Sequence, residues 1–200
     1  MIKGYASGGG IYIEYSQQAS LINEKNLNEK ARTVISITDS VFVSNQGTNI
    51  SAHPSGSGTA ESRIGFGRGG AISVFFLNST ASSNIRIEVS KCQFENNTAA
   101  WGGSIYVRFR DQSAGNIVNI KETCFTKNYA SLSGGALFVT STQTKDLNNT
   151  VHLDGCQFNS NAAEVGGAVG LKWIAAIDFV ERSRCSIRNT TFSKNVAKVK

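Results

Sequence analysis

Two short motifs alternate along the whole sequence. Phe-x-x-Asn occurs at Phe42/Asn45, Phe94/Asn97, Phe125/Asn128, Phe158/Asn161 and Phe192/Asn195. Gly-Gly-x-aliphatic occurs at Gly8-Gly9-Gly10-Ile11, Gly69-Gly70-Ala71-Ile72, Gly102-Gly103-Ser104-Ile105, Gly134-Gly135-Ala136-Leu137 and Gly166-Gly167-Ala168-Val169. Successive Phe residues lie 52, 31, 33 and 34 positions apart. A unit this short cannot bury a hydrophobic face by itself, so such periods belong to solenoids whose units stabilise one another by stacking.

Aligning the units on Phe turns each position into a column. Five positions before it stand Ile37, Val89, Ile120, Leu153 and Ile187, and seven before it Ile35, Ile87, Val118, Val151 and Cys185. The positions between are polar: Ser36, Glu88, Asn119, His152 and Ser186. Period two with one apolar face is a half-buried strand. A second strand follows each Gly-Gly, as in Ile72, Val74, Phe76 and Ile105, Val107, Phe109. Paired glycines admit a sharp turn into it, because they reach backbone angles closed to residues with a Cβ. The Asn of the other motif stands where the chain leaves a strand, and its amide can bond nearby backbone or the equivalent Asn one rung away. Ser40, Cys92, Thr123, Cys156 and Thr190, two before the Phe, are all small, as tight bends require.

These columns predict an all-β, right-handed parallel β-helix of about five rungs, rising ~4.8 Å per rung. The expectation is one domain over residues 1–200, cut from a longer helix, with loops inserted near 17–30 and 47–67. An antiparallel sandwich needs turn signals every ~8–12 residues and leaves the identity between distant units unexplained. The insertions read either as loops on a binding face or as tolerated excursions.

With 40% hydrophobic and 17% charged residues the chain has material for a continuous core. The net charge is +6, but Lys and Arg are scattered, without the clusters of a nucleic-acid footprint. No stretch approaches the ~20 apolar residues of a membrane span. No metal or cofactor is expected: His53 and His152 are far apart, Cys-x-x-Cys is missing, and Gly65-Phe66-Gly67-Arg68-Gly69-Gly70 lacks the Lys-Ser/Thr ending of a phosphate loop. Polysaccharide-cleaving β-helices need grouped carboxylates, and the charged column Asp39, Lys91, Glu122, Gly155, Asn189 reads instead as an outward ladder of weak cross-strand pairs. Cys92 and Cys156 share a column two rungs, about 9.6 Å, apart, beyond the ~7 Å limit for a disulfide. Four free thiols are expected, three of them buried and Cys124 the most accessible.

Phe-x-x-Asn-x-Ala followed by Gly-Gly-Ala-Ile, with Cys two before Phe94 and Phe158, resembles the chlamydial polymorphic outer-membrane protein repeat. The resemblance covers nearly the whole chain outside the insertions. It implies the β-helical passenger of a surface-exposed, autotransporter-like protein that acts in adhesion, extracellular or on the cell surface, in the outer membrane if bacterial. Nothing resembles the family's membrane-embedded barrel, so anchoring is expected outside this segment.

One candidate contact surface emerges. Outward positions on the strands after Gly-Gly include Tyr12, Phe75, Tyr106 and Phe138 together with Arg108 and Lys172, an aromatic and basic stripe along the rod. Exposed contiguous aromatics suit protein or glycan partners. The alternative is cross-rung stacking that stiffens the sheet or packs beneath the long insertion. The functional expectation is a non-catalytic adhesin or stalk, with a polysaccharide-degrading enzyme fragment or a pure scaffold as alternatives.

Overall fold

A computed structural model describes residues 10–15, 34–47, 67–76, 85–111, 115–143, 148–175 and 183–198. Gly8, Gly9, His53, Pro54 and nearly all of both insertions lie outside the described residues. Among those residues every element is a strand, and all named strand pairs are parallel and follow chain order.

Four ladders form the walls. The Gly-Gly sheet stacks Ile11–Tyr15, Ile72–Phe76, Ile105–Asp111, Leu137–Gln143 and Val169–Ala175. The second sheet stacks Val34–Thr38, Arg86–Ser90, Ile117–Lys121, Thr150–Asp154 and Arg184–Arg188. The Phe sheet stacks Val41–Val43, Gln93–Glu95, Cys124–Thr126, Gln157–Asn159 and Thr191–Ser193. Thr98–Trp101, Tyr129–Ser133, Ala162–Ala163 and Val196–Ala197 make the fourth, which Gln46 joins by a bridge to Thr98. The chain is therefore a parallel β-solenoid of five levels, of which the three inner ones are covered on both sides.

The expected columns coincide with the registers. Phe42, Phe94, Phe125, Phe158 and Phe192 form one file, with adjacent ring centroids 4.8, 5.0, 4.6 and 4.9 Å apart and planes within 7° of parallel. Ile87, Val89, Val118, Ile120, Val151 and Leu153 fill the interior from one wall, and Ile72, Val74, Ile105, Val107, Leu137 and Val139 from another. Burial falls off at the ends: Ile187 is 45% and Phe192 47% exposed, whereas Phe125 is fully enclosed.

The Asn column is a continuous hydrogen-bonded ladder. The backbone N–H and Nδ2 of Asn97 both donate to Oδ1 of Asn128 at 3.0 Å, and Nδ2 also donates to the Phe42 carbonyl at 3.0 Å. Asn45, Asn128 and Asn161 repeat the donation to the next rung, ending on Asn195. Each inner Asn thus satisfies buried turn backbone that would otherwise lack a partner. A second ladder, Asn116 to Asn149, bonds in the same way at 3.0 and 3.1 Å and escapes a reading aligned on the Phe motif alone.

The bends correct one expectation. Asp39, Lys91, Glu122, Gly155 and Asn189 are not an outward ladder of paired charges; all five have φ between 47° and 64° and turn the chain from the second sheet into the Phe sheet. Their amides reach the next rung, as in Lys91 N–H to the Lys121 carbonyl at 3.0 Å and Glu122 N–H to the Asp154 carbonyl at 2.9 Å. Among the described residues the ion pair is Arg86–Glu88 at 3.4 Å, and none links Asp39, Lys91 and Glu122. Ser44, Asn96, Lys127, Ser160 and Lys194 hold a second left-handed bend just before the Asn. A left-handed residue with a Cβ costs roughly 1–2 kcal/mol; the inter-rung bonds offset that cost.

The small residues two before the Phe have a chemical reason as well as a steric one. Thr123 and Thr190 donate their hydroxyls to the carbonyl two residues back at 2.7 Å, and Ser40 does the same. The thiols of Cys92 and Cys156 take the same place, 3.2 Å from the Ser90 carbonyl and 3.6 Å from that of Asp154. The two glycines of each pair also do different work. The first, at Gly69, Gly102, Gly134 and Gly166, has φ of 58–67°. The second must lack a Cβ because the next rung lies against it: at Gly135 a Cβ would fall on the Gly167 carbonyl oxygen and 2.7 Å from the Ala162 amide nitrogen.

Candidate functional site

Strand alternation sends Ile105, Val107 and Phe109 into the interior, so Tyr106, Arg108 and Arg110 emerge on the outer face of the Gly-Gly sheet. The registers sort the predicted stripe into two columns. One runs Tyr12, Ser73, Tyr106, Phe138, Gly170, and its neighbour runs Glu14, Phe75, Arg108, Thr140, Lys172. The aromatic rings therefore zigzag: Tyr12 to Phe75 and Phe75 to Tyr106 are each 5.3 Å between centroids, and Tyr106 to Phe138 is 6.0 Å.

The reading of these aromatics as exposed is corrected. Tyr106 is 3%, Phe138 6% and Phe75 7% exposed, and with Tyr12 and Trp101 packed against them they form a second hydrophobic cluster outside the main core. Two residues missed by sequence reasoning account for part of this. Arg68 and Trp101 immediately precede their Gly-Gly pairs and are joined by a parallel bridge. The Arg68 guanidinium carbon lies 5.8, 5.8 and 5.7 Å from the ring centroids of Phe75, Trp101 and Tyr106, so one cation caps three aromatic faces. The Ser73 hydroxyl donates to the Arg68 carbonyl and fixes that corner. Below, the Phe138 ring occupies the space above Gly170, where a Cβ would stand 2.8 Å from it. An alignment on Gly-Gly exposes the corner column Arg68, Trp101, Ser133, Val165, which an alignment on Phe does not.

What reaches solvent is a shallow depression lined by Arg68, Trp101, Tyr106, Arg108, Phe138, Thr140 and Lys172, with Thr142 and Ile174 at its lower margin. Four of the predicted residues, Tyr106, Arg108, Phe138 and Lys172, meet there; Phe75 lies beneath Arg68, and Tyr12 stands at the upper end of the aromatic run. A second depression adjoins it, sharing Trp101, Phe138 and Lys172 and lined further by Leu132, Ser133, Glu164, Val165 and Leu171. Val165 is 62% and Leu171 43% exposed, so this side is apolar and open.

Among the described residues no three His, Cys, Asp or Glu side chains stand close enough to hold a metal ion. All four cysteines are free thiols, as expected, but Cys185 is half-buried at the last rung and not enclosed. Burial pushes the thiols of Cys92 and Cys156 up, and that of Cys185 to about 11. Burial, then the positive charges of Arg188, Arg184, Arg86 and Lys121, lower the proton affinity of His152 on the outer face of the second sheet.

Comparison with known families places a name on part of this chain. Residues 91–108 match the Chlamydia polymorphic membrane protein (Chlamydia_PMP) repeat. The matched stretch runs from the left-handed Lys91 through the stacked Phe94, the ladder residue Asn97 and Gly102-Gly103 to Arg108, and it includes Trp101, Tyr106 and Arg108 of the depression. The match points to a family of outer-membrane or surface proteins. Comparison with curated proteins and with solved structures gives no match. No helix among the described residues is long and apolar enough to cross a membrane, which says nothing of a β-barrel.

Proposed function

We propose that residues 1–200 form one non-catalytic rod segment of an extracellular or cell-surface protein, serving both as stalk and as adhesive surface for a protein or glycan partner. The observation that carries this is the depression on the side of the rod, where half-buried Trp101 and three cations border a preformed aromatic bed. Such a bed is rigid before contact, because its rings are already packed, so binding orders few side chains. The inserted loops near 17–30 and 47–67, nearly all outside the described residues, are proposed as further partner contacts.

The test is adhesion of beads coated with the chain to a panel of animal cells, comparing wild type with the double variant Trp101→Ala/Lys172→Glu. Adhesion lost in the variant supports the reading; equal adhesion of both assigns the contact elsewhere. Incubation with a polysaccharide panel separates the enzymatic alternative, since the appearance of new reducing ends or unsaturated products overturns the non-catalytic reading.

A further inference from the structure

We infer that the depression beside Trp101 takes an acidic carbohydrate, a linear glycan bearing carboxylate or sulfate groups; this names the partner class of the adhesive surface proposed above and rests on that reading. Three of the lining side chains, Arg68, Arg108 and Lys172, are cationic, and among the described residues no carboxylate lines the depression. Glu164 lines the adjoining depression, which shares Trp101, Phe138 and Lys172 with this one.

The solenoid spaces these charges regularly. Arg108, Thr140 and Lys172 occupy one column, one per rung. The backbones that carry the two cations are therefore two strand spacings, about 9.6 Å, apart, with a threonine between them. An extended polymer laid along the rod axis meets a cation, a hydroxyl-bearing residue and a second cation in order. Guanidinium groups match carboxylate and sulfate oxygens two at a time, and Lys172 is an exposed point charge.

The remaining lining suits a sugar ring. Half-buried Trp101, with Arg68 over its ring, lines the depression, and an indole is the kind of apolar surface against which a pyranose can lie while its hydroxyls stay in water. The depression is shallow and open, which fits an extended chain resting on a surface better than a small molecule enclosed in a pocket. Three cations around one shallow depression also fall short of the track that a nucleic-acid backbone needs.

The experiment measures binding of the intact chain to immobilised hexasaccharides: a sulfated glycosaminoglycan, an unsulfated uronic-acid polymer, and a carboxyl-reduced, unsulfated counterpart. Saturable binding to at least one acidic hexasaccharide, with none to the neutral one, is expected; the two acidic arms separate sulfate from carboxylate recognition. Lys172→Glu, an exposed change that leaves the core untouched, is expected to weaken binding roughly tenfold, the loss of one charge-assisted contact. Arg184→Glu, on the second sheet, is expected to change it less than about twofold if the contact is local. Equal loss in both variants reduces the binding to overall charge and overturns the inference, as does equal affinity for the neutral sugar or no binding to either acid. Bead adhesion that is lost with Lys172→Glu yet survives enzymatic stripping of acidic glycans from the cells overturns the carbohydrate assignment alone. Acidic-glycan binding without adhesion to any cell overturns the adhesive reading alone.

Discussion

Asn128→Ala is the sharpest perturbation of the fold, because its cost follows from four hydrogen bonds. Oδ1 of Asn128 accepts from the backbone N–H and Nδ2 of Asn97, both at 3.0 Å, while its Nδ2 donates to Oδ1 of Asn161 at 2.9 Å and to the Phe94 carbonyl at 3.0 Å. Asn97, Asn128 and Asn161 are at most 1% exposed, so water cannot replace the lost partners. The substitution strands two donors of Asn97 and removes one bond from the Phe94 carbonyl. At about 1–3 kcal/mol per buried unsatisfied group, the two donors alone give about 4 kcal/mol, a large share of the ~5–15 kcal/mol that holds a domain together. Asn195→Ala removes the same Oδ1 from the buried Asn161, but Asn195 is itself only half-buried, so water can enter the space its amide leaves and about 1 kcal/mol is expected. Urea titrations followed by circular dichroism compare the two. Equal costs, or an Asn128→Ala cost within about 0.5 kcal/mol of zero, would refute the ladder argument. Asn128→Asp adds a control: it restores the acceptor but sets a carboxylate against two other acceptors, so its deficit is expected to shrink as pH falls toward about 4 and the carboxyl protonates.

Three further outcomes follow from the same geometry. Gly135→Ala is expected to cost more than about 3 kcal/mol or to prevent folding, since its Cβ meets the Gly167 and Ala162 backbone, whereas Gly155→Asn, at a bend already occupied elsewhere by Asp, Lys, Glu and Asn, costs less than about 1 kcal/mol; thermal melts compare them. Timed alkylation with peptide mass mapping is expected to label Cys124 first, Cys185 more slowly because its thiol is pushed up to about 11, and the buried Cys92 and Cys156 only on unfolding. His152 holds its proton less tightly folded than unfolded, so stability declines as pH falls below the free imidazole value of about 6.5, and His152→Gln removes that part of the decline in a pH series of melts.

The interior was legible because stacking makes like residues recur. The Phe file, the Asn ladder and the inward aliphatic columns each need one side-chain type at one position, and repetition exposes them. The bends were not legible in the same way. Lys91, Glu122 and Lys127 are poor left-handed residues by intrinsic preference, and they hold φ near 50° because the neighbouring rung captures their amides. Their charges invited an electrostatic reading of what is a backbone requirement. Cys92 and Cys156 looked merely small because a thiol and a hydroxyl share a donor role only once the carbonyl two residues back is seen to face them. On the outer face, alternation gave the direction of Tyr106 and Phe138 correctly but not their burial. That depends on Arg68 and Trp101, which enter from the preceding corner and lie in a column the Phe alignment does not define.

In-register stacking of consecutive coils is tested most directly by using native Cys124 as a ruler. Its strand neighbours are Gln93 on one side and Gln157 on the other, both exposed and both more than thirty residues away in sequence. Adjacent strands place such pairs about 4.8 Å apart, inside the 4.4–6.8 Å range that a disulfide spans. Mild oxidation of Gln93→Cys, and separately of Gln157→Cys, is therefore expected to give a Cys124-linked peptide by mass spectrometry, whereas Glu95→Cys, two positions along the strand, gives none. Failure of both neighbours to link, or equal linkage at Glu95→Cys, would contradict the stacked solenoid.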